Sequence, residues 1–201
     1  AERFPVGFDR QLATSLDLIA RRHGSLGRRI NFALLTPTLR PEHVETLGEE
    51  NLAEARRQAQ VVSAAAREHG LVFTQDGHRQ GSVVYAHEMG ILGPEALLSH
   101  STGLTDEDIA LCAETDTKIA HNPRAIASVF DRCPAPELME AGVTVALGSD
   151  ATAPDRSADM FRHMQQCMHY HRRHHRDPSW LPPGKTLEMC TIDGARALGM
   201  D

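Results

Sequence analysis

The stretch AGVTVALGSDATAPD, residues 141–155, decides the fold because it sets a carboxylate directly after a buried strand. Val143, Val145 and Leu147 are apolar and β-favouring, and the run is short enough for a strand buried inside a sheet. The strand ends at a Gly-Ser pair, so Asp150 stands where the chain turns into a loop. In parallel α/β folds, functional side chains follow the carboxyl ends of the strands. Asp150 is therefore the first candidate functional residue, with an ordinary turn aspartate as the alternative.

Four further strands are predicted upstream of this stretch, and helical patterns separate them. The predicted strands cover residues 29–35, 71–74, 96–99 and 118–120. Helices are predicted over residues 9–23, 49–69, 82–89, 136–140, 157–171 and 186–198, and Thr105 with Asp108 predicts a capping box at the start of one more. This alternation predicts βα units around a parallel sheet. Five units form either an open doubly wound sheet or five-eighths of a (β/α)8 barrel, and periodicity alone does not choose between them.

Composition is typical of a globular chain with a sizeable core. The 201 residues are 41% hydrophobic and carry a net charge of −6, which suits one domain or a piece of a larger one and argues against a nucleic-acid partner. No apolar run reaches the roughly 20 residues needed to cross a bilayer, and no signal peptide is visible. The four widely spaced cysteines predict reduced, mostly buried thiols in a cytoplasmic protein: Cys112, Cys133, Cys167 and Cys190.

Three histidines follow other predicted strands at the same end. His100 ends the run ALLSH, His121 lies in AHNP, and His78 lies in the polar loop QDGHR. A neutral imidazole in such a position binds a metal ion or donates a hydrogen bond to a polarised substrate oxygen. The alternative for each is a histidine that bonds to the backbone or faces solvent. Asp150 and His100 together make the stronger hypothesis, because both follow the carboxyl ends of predicted parallel strands.

A histidine-rich tract near the end of the chain also has the composition of a metal-binding segment. It contains no HEXXH pattern and no partnering cysteine pair, and arginines surround it. We therefore interpret the tract as a solvated helix end, with its members His169, His171, His174 and His175.

Five segments resemble the amidohydrolase superfamily, in particular its branch of guanine, cytosine and adenosine-derivative deaminases and triazine hydrolases. The segments occur in the family's order and are spread over about half of the chain, at residues 92–100, 104–111, 119–123, 141–150 and 191–199. They include LGP with LLSH, LTDEDIAL, IAHNP, AGVTVALGSD and TIDGARALG. One such match would be weak, but five in order identify the chain as a member of this superfamily.

The resemblance implies a partial (β/α)8 TIM barrel with a metal site at the carboxyl ends of its strands. By position, Asp150 matches a metal ligand of the family's last strand that also accepts a proton from the attacking water. His100 matches the histidine after the sixth strand, which contacts substrate or water, and we also expect it to ligate the metal. His121 matches the seventh strand beside the pocket, so His121 and His78 are expected to bind substrate. The implied cofactor is a divalent metal, zinc before iron, which this chain by itself could lack.

Two departures from the family's pattern affect these expectations. The HxH pair that ends the family's first strand has no counterpart, so residues 1–201 are expected to be one barrel segment without the N-terminal strands. The run Gln75-Asp76-Gly77-His78 stands where the family has HxxE, with Gln for a ligand and His for a proton-shuttling Glu. A catalytic zinc generally takes three protein ligands, and a partial barrel exposes its end strands. We therefore expect the chain to form a homo-oligomer or to pair with the missing half of the barrel.

The favoured function is metal-dependent hydrolysis of a C–N bond, or a C–Cl bond, in a small N-heterocyclic substrate. One alternative is a non-catalytic amidohydrolase-like binding protein or an inactive fragment, which the missing HxH pair and Gln75 favour. Another is an unrelated open α/β binding domain. Each has a small molecule as its partner, and none involves a membrane or nucleic acid.

Overall fold

The structure is a computed structural model that describes residues 7–125, 130–150 and 158–200. Within these ranges, five parallel strands form one sheet and lie side by side in chain order. The strands are β1 (Ala33–Pro37), β2 (Val72–Asp76), β3 (Ala96–Ser99), β4 (Lys118–His121) and β5 (Val145–Leu147). The helices are α1 (Phe8–Arg22), α2 (Ser25–Arg28), α3 (Pro41–Thr46), α4 (Glu49–His69), α5 (Ser82–Glu88), α6 (Asp106–Glu114), α7 (Ala135–Glu140), α8 (Met160–His175), α9 (Pro183–Cys190) and α10 (Ile192–Ala197).

The order of the strands distinguishes a barrel wall from a doubly wound sheet. A doubly wound sheet reverses its strand order at a switch point, which places helices on both faces. In the described sheet the order does not reverse, and right-handed crossovers then leave every connection on one face. The prediction of a barrel segment agrees with this order, and the open-sheet alternative is wrong.

The two faces of the sheet differ in burial. On the face that we call the helix face, the register aligns Leu34 with Phe73 and Leu98 with Ile119, and all four side chains are buried in the core. On the opposite face, which we call the open face, Leu35 is 61% exposed. The core therefore lies between the sheet and its helices, and the open face is the side that would line the interior of a closed barrel.

Two local predictions are confirmed in detail. α4 ends at Gly70, whose φ of 62° is the left-handed conformation that glycine adopts without strain. At the start of α6, the Thr105 hydroxyl accepts a hydrogen bond from the Asp108 N–H at 3.2 Å, and the Asp108 carboxylate accepts one from the Thr105 N–H at 3.0 Å. This capping box satisfies two of the backbone donors at the helix start.

Several predicted boundaries are wrong. β1 continues through Pro37, which is tolerated because β1 is an edge strand of the described sheet. β2 continues through Asp76, so Gln75 and Asp76 belong to the strand and not to the loop. The predicted last helix is two helices, because Thr191 between them has φ −121° and ψ −92°. α8 extends to His175, and its predicted first residue lies outside the described ranges.

The predicted state of the cysteines is confirmed. All four are free thiols, and Cys112, Cys133 and Cys167 are buried. No helix in the described ranges is long and apolar enough to cross a membrane.

Candidate active site at the strand tips

Three side chains meet at the carboxyl ends of β2, β3 and β5, and we call them the strand-tip cluster: Asp76, His100 and Asp150. The Nε2 atom of His100 lies 3.0 Å from Asp76 Oδ1 and 3.6 Å from Asp150 Oδ2. Asp150 and His100 are predicted from the sequence to lie at one edge of the sheet, and the structure brings them together. Their catalytic and metal-binding roles stay predictions.

The backbone around this cluster adopts the left-handed conformation. φ is 68° at His100, 49° at Ser101 and 58° at Asp150, values that residues other than glycine rarely adopt. The His100 N–H donates to the Ala120 carbonyl at 3.0 Å, which ties this turn to the neighbouring strand. Left-handed residues held by surrounding structure often occur at functional sites, where they aim a side chain that regular strand geometry would direct elsewhere.

Hydrogen bonds fix the orientation of the His100 ring. The Asn122 amide donates to His100 Nδ1 at 3.3 Å, so Nε2 carries the hydrogen and donates it to Asp76. The Ser99 hydroxyl donates to the same Asp76 oxygen at 2.5 Å. A Cβ atom at Gly148 would collide with Asn122 Oδ1, which explains a glycine at the end of β5. His100 is therefore arranged as a hydrogen-bond donor beside two carboxylates.

Exposure within the strand-tip cluster is graded. The His100 side chain is 2% exposed, the Asp150 side chain 29% and the Asp76 side chain 68%. The imidazole thus forms the floor of the cluster, and a ligand arriving from solvent meets the carboxylates first.

His78 lies deeper and faces other partners. Its Nδ1 is 2.8 Å from the Ser82 hydroxyl and its Nε2 is 3.1 Å from Gln75 Oε1, while the Gln75 amide donates to the Pro37 carbonyl at 3.0 Å. Burial lowers the pKa of His78 to about 3, with a further contribution from the Arg40 guanidinium, so the ring is neutral. His78 also borders a cavity of about 480 Å³ among the loops that follow β1, β2, β3 and β4.

His121 points away from the strand-tip cluster. It pairs with Leu147 across the sheet and shares the helix face with Ile119. Its Nε2 lies 3.3 Å from Nε2 of His171 on α8, and both rings are fully buried. The interpretation of the histidine tract as a solvated helix end is therefore wrong for His171, although His169 and His174 are exposed.

Asp76 and Asn122 complete the contacts of His100, although neither is predicted as a site residue from the sequence. The predicted strand ends at residue 74, which places Asp76 in the following loop. Strand alternation carried the missing information: with Phe73 and Gln75 on the helix face, Asp76 falls on the open face, on the same side as the neighbouring Ser99.

The chain belongs to the amidohydrolase family, whose sequence profile matches residues 25–201. The resemblance identified from the five segments is thus confirmed.

The proteins similar to this chain include several deaminases. The chain is 31% identical over 198 residues to a 5'-deoxyadenosine deaminase of Methanothermobacter thermautotrophicus, covering 95% of this chain and 45% of that protein. It is 37% identical over 130 residues to a 5-methylthioadenosine/S-adenosylhomocysteine deaminase of Syntrophobacter fumaroxidans, covering 64% of this chain and 29% of the relative. The chain thus spans less than half the length of these relatives.

Solved structures confirm the fold. An adenosine deaminase from Xanthomonas campestris with bound zinc superposes with a TM-score of 0.80 at 22% identity, covering 96% of this chain and 44% of that one. An atrazine chlorohydrolase from Arthrobacter aurescens complexed with zinc superposes with a TM-score of 0.75 at 20% identity, covering 100% of this chain and 45% of that one. The five strands and their helices are therefore a segment of the amidohydrolase barrel.

Proposed function

We propose that the protein carrying this chain is a hydrolytic deaminase of a small nucleoside-like compound, and that the strand-tip cluster supplies catalytic groups. The observation that carries the proposal is the approach of His100 Nε2 to two carboxylates at the ends of three different strands. Deaminases of adenine nucleosides among the similar proteins support this substrate class over C–Cl or simple amide substrates.

The chemistry assigns a separate task to each residue. Asp150 accepts a proton from the attacking water, whose oxygen bonds to the ring carbon that carries the amino group. The proton then passes to the amino group, which leaves as ammonia. His100 donates its Nε2 hydrogen to negative charge that develops on the substrate, in place of its bond to Asp76, while the Asn122 amide on Nδ1 holds the ring. An imidazole whose ring orientation is fixed by hydrogen bonds is suited to this work.

The donor set fits a divalent metal only in part. Asp76 and Asp150 offer carboxylate oxygens, which suit zinc or iron, and a catalytic zinc generally takes three protein ligands. Among the described residues, the three members of the strand-tip cluster do not bring one ligand atom each within 4.8 Å of one another. The carboxylate oxygens of Asp76 and Asp150 that flank His100 Nε2 are therefore too far apart to bind one ion together. We propose that Asp150 holds part of the metal's ligand set and that chain beyond these 201 residues supplies the rest. A metal bound there supplies a water molecule of lowered pKa.

His100 is better suited to hydrogen bonding than to the predicted ligand role. Binding a metal through Nε2 would require that nitrogen to lose its hydrogen, which the Asn122 amide on Nδ1 opposes. Likewise, we assign His121 no contact with substrate, because its side chain is buried on the helix face. His78 keeps a proposed place at the edge of the substrate pocket, through the cavity that it borders.

The open face carries exposed apolar side chains that we expect to be buried in the full protein. Leu35 is 61% exposed there, and the relatives are more than twice as long as this chain. We propose that further barrel strands, from the same protein, cover this face and complete the pocket.

Ammonia release from 5'-deoxyadenosine and 5'-methylthioadenosine tests the proposal. In the full protein, Asp150→Asn is expected to lower kcat/KM about 10²–10⁴-fold. Asp116→Asn is the matched control, because Asp116 precedes β4 and so lies at the opposite end of the sheet. Equal activity of Asp150→Asn and the unmodified protein would contradict the mechanism.

A non-catalytic binding protein is the second candidate, and one observation favours it. Gln75 and His78 stand where the family has a ligand and a proton shuttle, and here they bond to each other in the interior. On this reading, nucleosides bind at the strand tips without release of ammonia, even after zinc or iron is supplied.

A further inference from the structure

We propose that His121, Cys167 and His171 form a second metal site, buried between β4 and α8, that binds zinc. We call these residues the buried cluster. It lies on the helix face, whereas the strand-tip cluster lies on the open face, so the two sites would be separate.

Two elements bring the three ligands together. His121 is the last residue of β4 and directs its ring into the helix layer. Cys167 and His171 are four residues apart on α8, so they lie on the same side of the helix, one turn apart. All three side chains are fully buried, and one ligand atom from each lies within 4.8 Å of the other two.

The distance between the two imidazoles matches tetrahedral coordination. Zinc binds histidine nitrogen at about 2.0–2.1 Å, which places two nitrogens of a tetrahedral site about 3.3–3.4 Å apart. The Nε2 atoms of His121 and His171 are 3.3 Å apart. A hydrogen bond between the two rings accounts for this distance as well. What points to a metal is the Cys167 sulfur beside both rings, which such a hydrogen bond does not require.

The hydrogen bonding of the metal-free cluster is incomplete. The Nδ1 atoms of both His121 and His171 are buried without a hydrogen-bond partner. Buried polar groups in proteins are nearly always satisfied, so two such rings beside a thiol need an explanation. A metal ion at Nε2 would leave each Nδ1 as a buried N–H donor, so the case for the ion rests on the positions of the two Nε2 atoms and the sulfur.

Protonation of the ligands suits the proposal. Burial lowers the pKa of His171 to about 3 and lowers that of His121 well below its usual value, so both rings are neutral and able to coordinate. Burial raises the pKa of Cys167, so the thiol keeps its proton until a cation binds. Binding then forms a Zn–S bond and releases one proton to solvent, with no change of oxidation state. Imidazole nitrogen and thiolate sulfur are both donors that zinc takes, and three such ligands leave a fourth position for another donor.

The other group of potential ligands in the described ranges is less suited. Glu137, His174 and His175 also lie within 4.8 Å of one another, but Glu137 is paired with Arg132 and His175 stacks on Trp180. These contacts already engage two of the three side chains.

Cobalt substitution tests the buried cluster through its sulfur. Protein stripped with a chelator and reloaded with Co²⁺ is expected to show a thiolate-to-cobalt charge-transfer band in the near ultraviolet. Cys167→Ala removes this band and one equivalent of tightly bound zinc. Cys112→Ala, which removes another buried thiol, and Asp150→Asn, which alters the strand-tip cluster, both keep the band. A band that persists in Cys167→Ala, or is absent from folded unmodified protein, overturns the proposal.

X-ray absorption of the zinc-loaded unmodified protein gives a test that does not depend on a variant that folds. The expected zinc environment contains one sulfur at about 2.3 Å and nitrogens at about 2.0–2.1 Å. A shell of oxygen and nitrogen without sulfur overturns the proposal. Zinc is also expected to raise the Tm of Cys112→Ala more than that of Cys167→Ser, the isosteric variant, because only the first keeps the buried cluster.

Discussion

The strand-tip cluster contains His100, which follows β3, and the buried cluster contains His121, which ends the neighbouring strand β4. The two clusters nevertheless lie on opposite faces of the sheet. Strand alternation would place His100 with Leu98, and His121 with Ile119, on the helix face. His121 obeys this rule and stays in β4. His100 does not, because its φ of 68° turns the chain and redirects the ring toward Asp76 and Asp150. One backbone torsion therefore separates a histidine suited to catalysis from one suited to the interior.

Replacing each histidine in turn gives the largest expected contrast. His100→Gln removes a hydrogen-bond donor from the strand tips, so kcat/KM for deamination in the full protein is expected to fall about 10²–10³-fold. His121→Gln alters the helix face only, so its effect on kcat/KM should stay below about tenfold. Steady-state ammonia release measures both. Similar losses in the two variants would show that His121 also contacts substrate, as the sequence resemblance implied.

We expect acid to destabilise the protein, because buried neutral histidines take up a proton only when the chain unfolds. His78 allows a test of this effect, since it belongs to neither cluster. The folded-state pKa of His78 is about 3, whereas the unfolded value is about 6.5, so the unfolded chain binds the extra proton between these values. The stability that a neutral His78 gives is complete above pH 6.5 and is lost as the pH falls toward 3. The slope is about 1.4 kcal/mol per pH unit.

Urea unfolding at pH 7, 6 and 5 measures that slope. His78→Gln is expected to have a lower free energy of unfolding at pH 7 but a shallower dependence on pH, by about one proton. Parallel curves for the variant and the unmodified protein would mean that His78 is protonated in the folded state.

Gly148→Ala should disturb one cluster and leave the other unchanged. The added Cβ collides with Asn122 Oδ1, and Asn122 orients the His100 ring. We expect roughly a tenfold loss of kcat/KM and about 1–3 kcal/mol of destabilisation from overpacking. The cobalt–thiolate band of the buried cluster should persist, because the added Cβ meets Asn122 Oδ1 and not the side chains of His121 or α8. Loss of that band in Gly148→Ala would show that the two clusters are coupled.

Sequence reasoning recovered the fold because the relevant signals are local. The α4 helix and its Gly70 stop, the Thr105 capping box and the β3 strand at Ala96–Ser99 all follow from short-range propensity. The alternation of strands and helices then predicts a parallel sheet, but only the strand order separates a barrel wall from an open sheet.

The site was recovered less completely because it depends on torsions and on distant contacts. The left-handed φ at His100 could not be predicted, because glycine is the usual sequence signal for that conformation and position 100 is not a glycine. The contact between His121 and His171 joins residues fifty positions apart, and nothing in either local pattern indicates it. The position of Asp76 could have been predicted from the sequence, because strand alternation starting from Phe73 assigns Asp76 to the open face.

Asp76→Asn should have the smallest effect on stability and activity among these variants. It distinguishes a residue that only positions the His100 ring from one that also binds the metal. Asp76 is the most exposed member of the strand-tip cluster, so loss of its contact with His100 should cost less than about 1 kcal/mol of stability. Asparagine keeps an oxygen that accepts from His100 Nε2 but removes the charge. If Asp76 only positions the ring, kcat falls a few-fold and the affinity for added zinc stays the same. If Asp76 is also a metal ligand, zinc affinity falls together with kcat, and titration of zinc into the full protein separates the two roles.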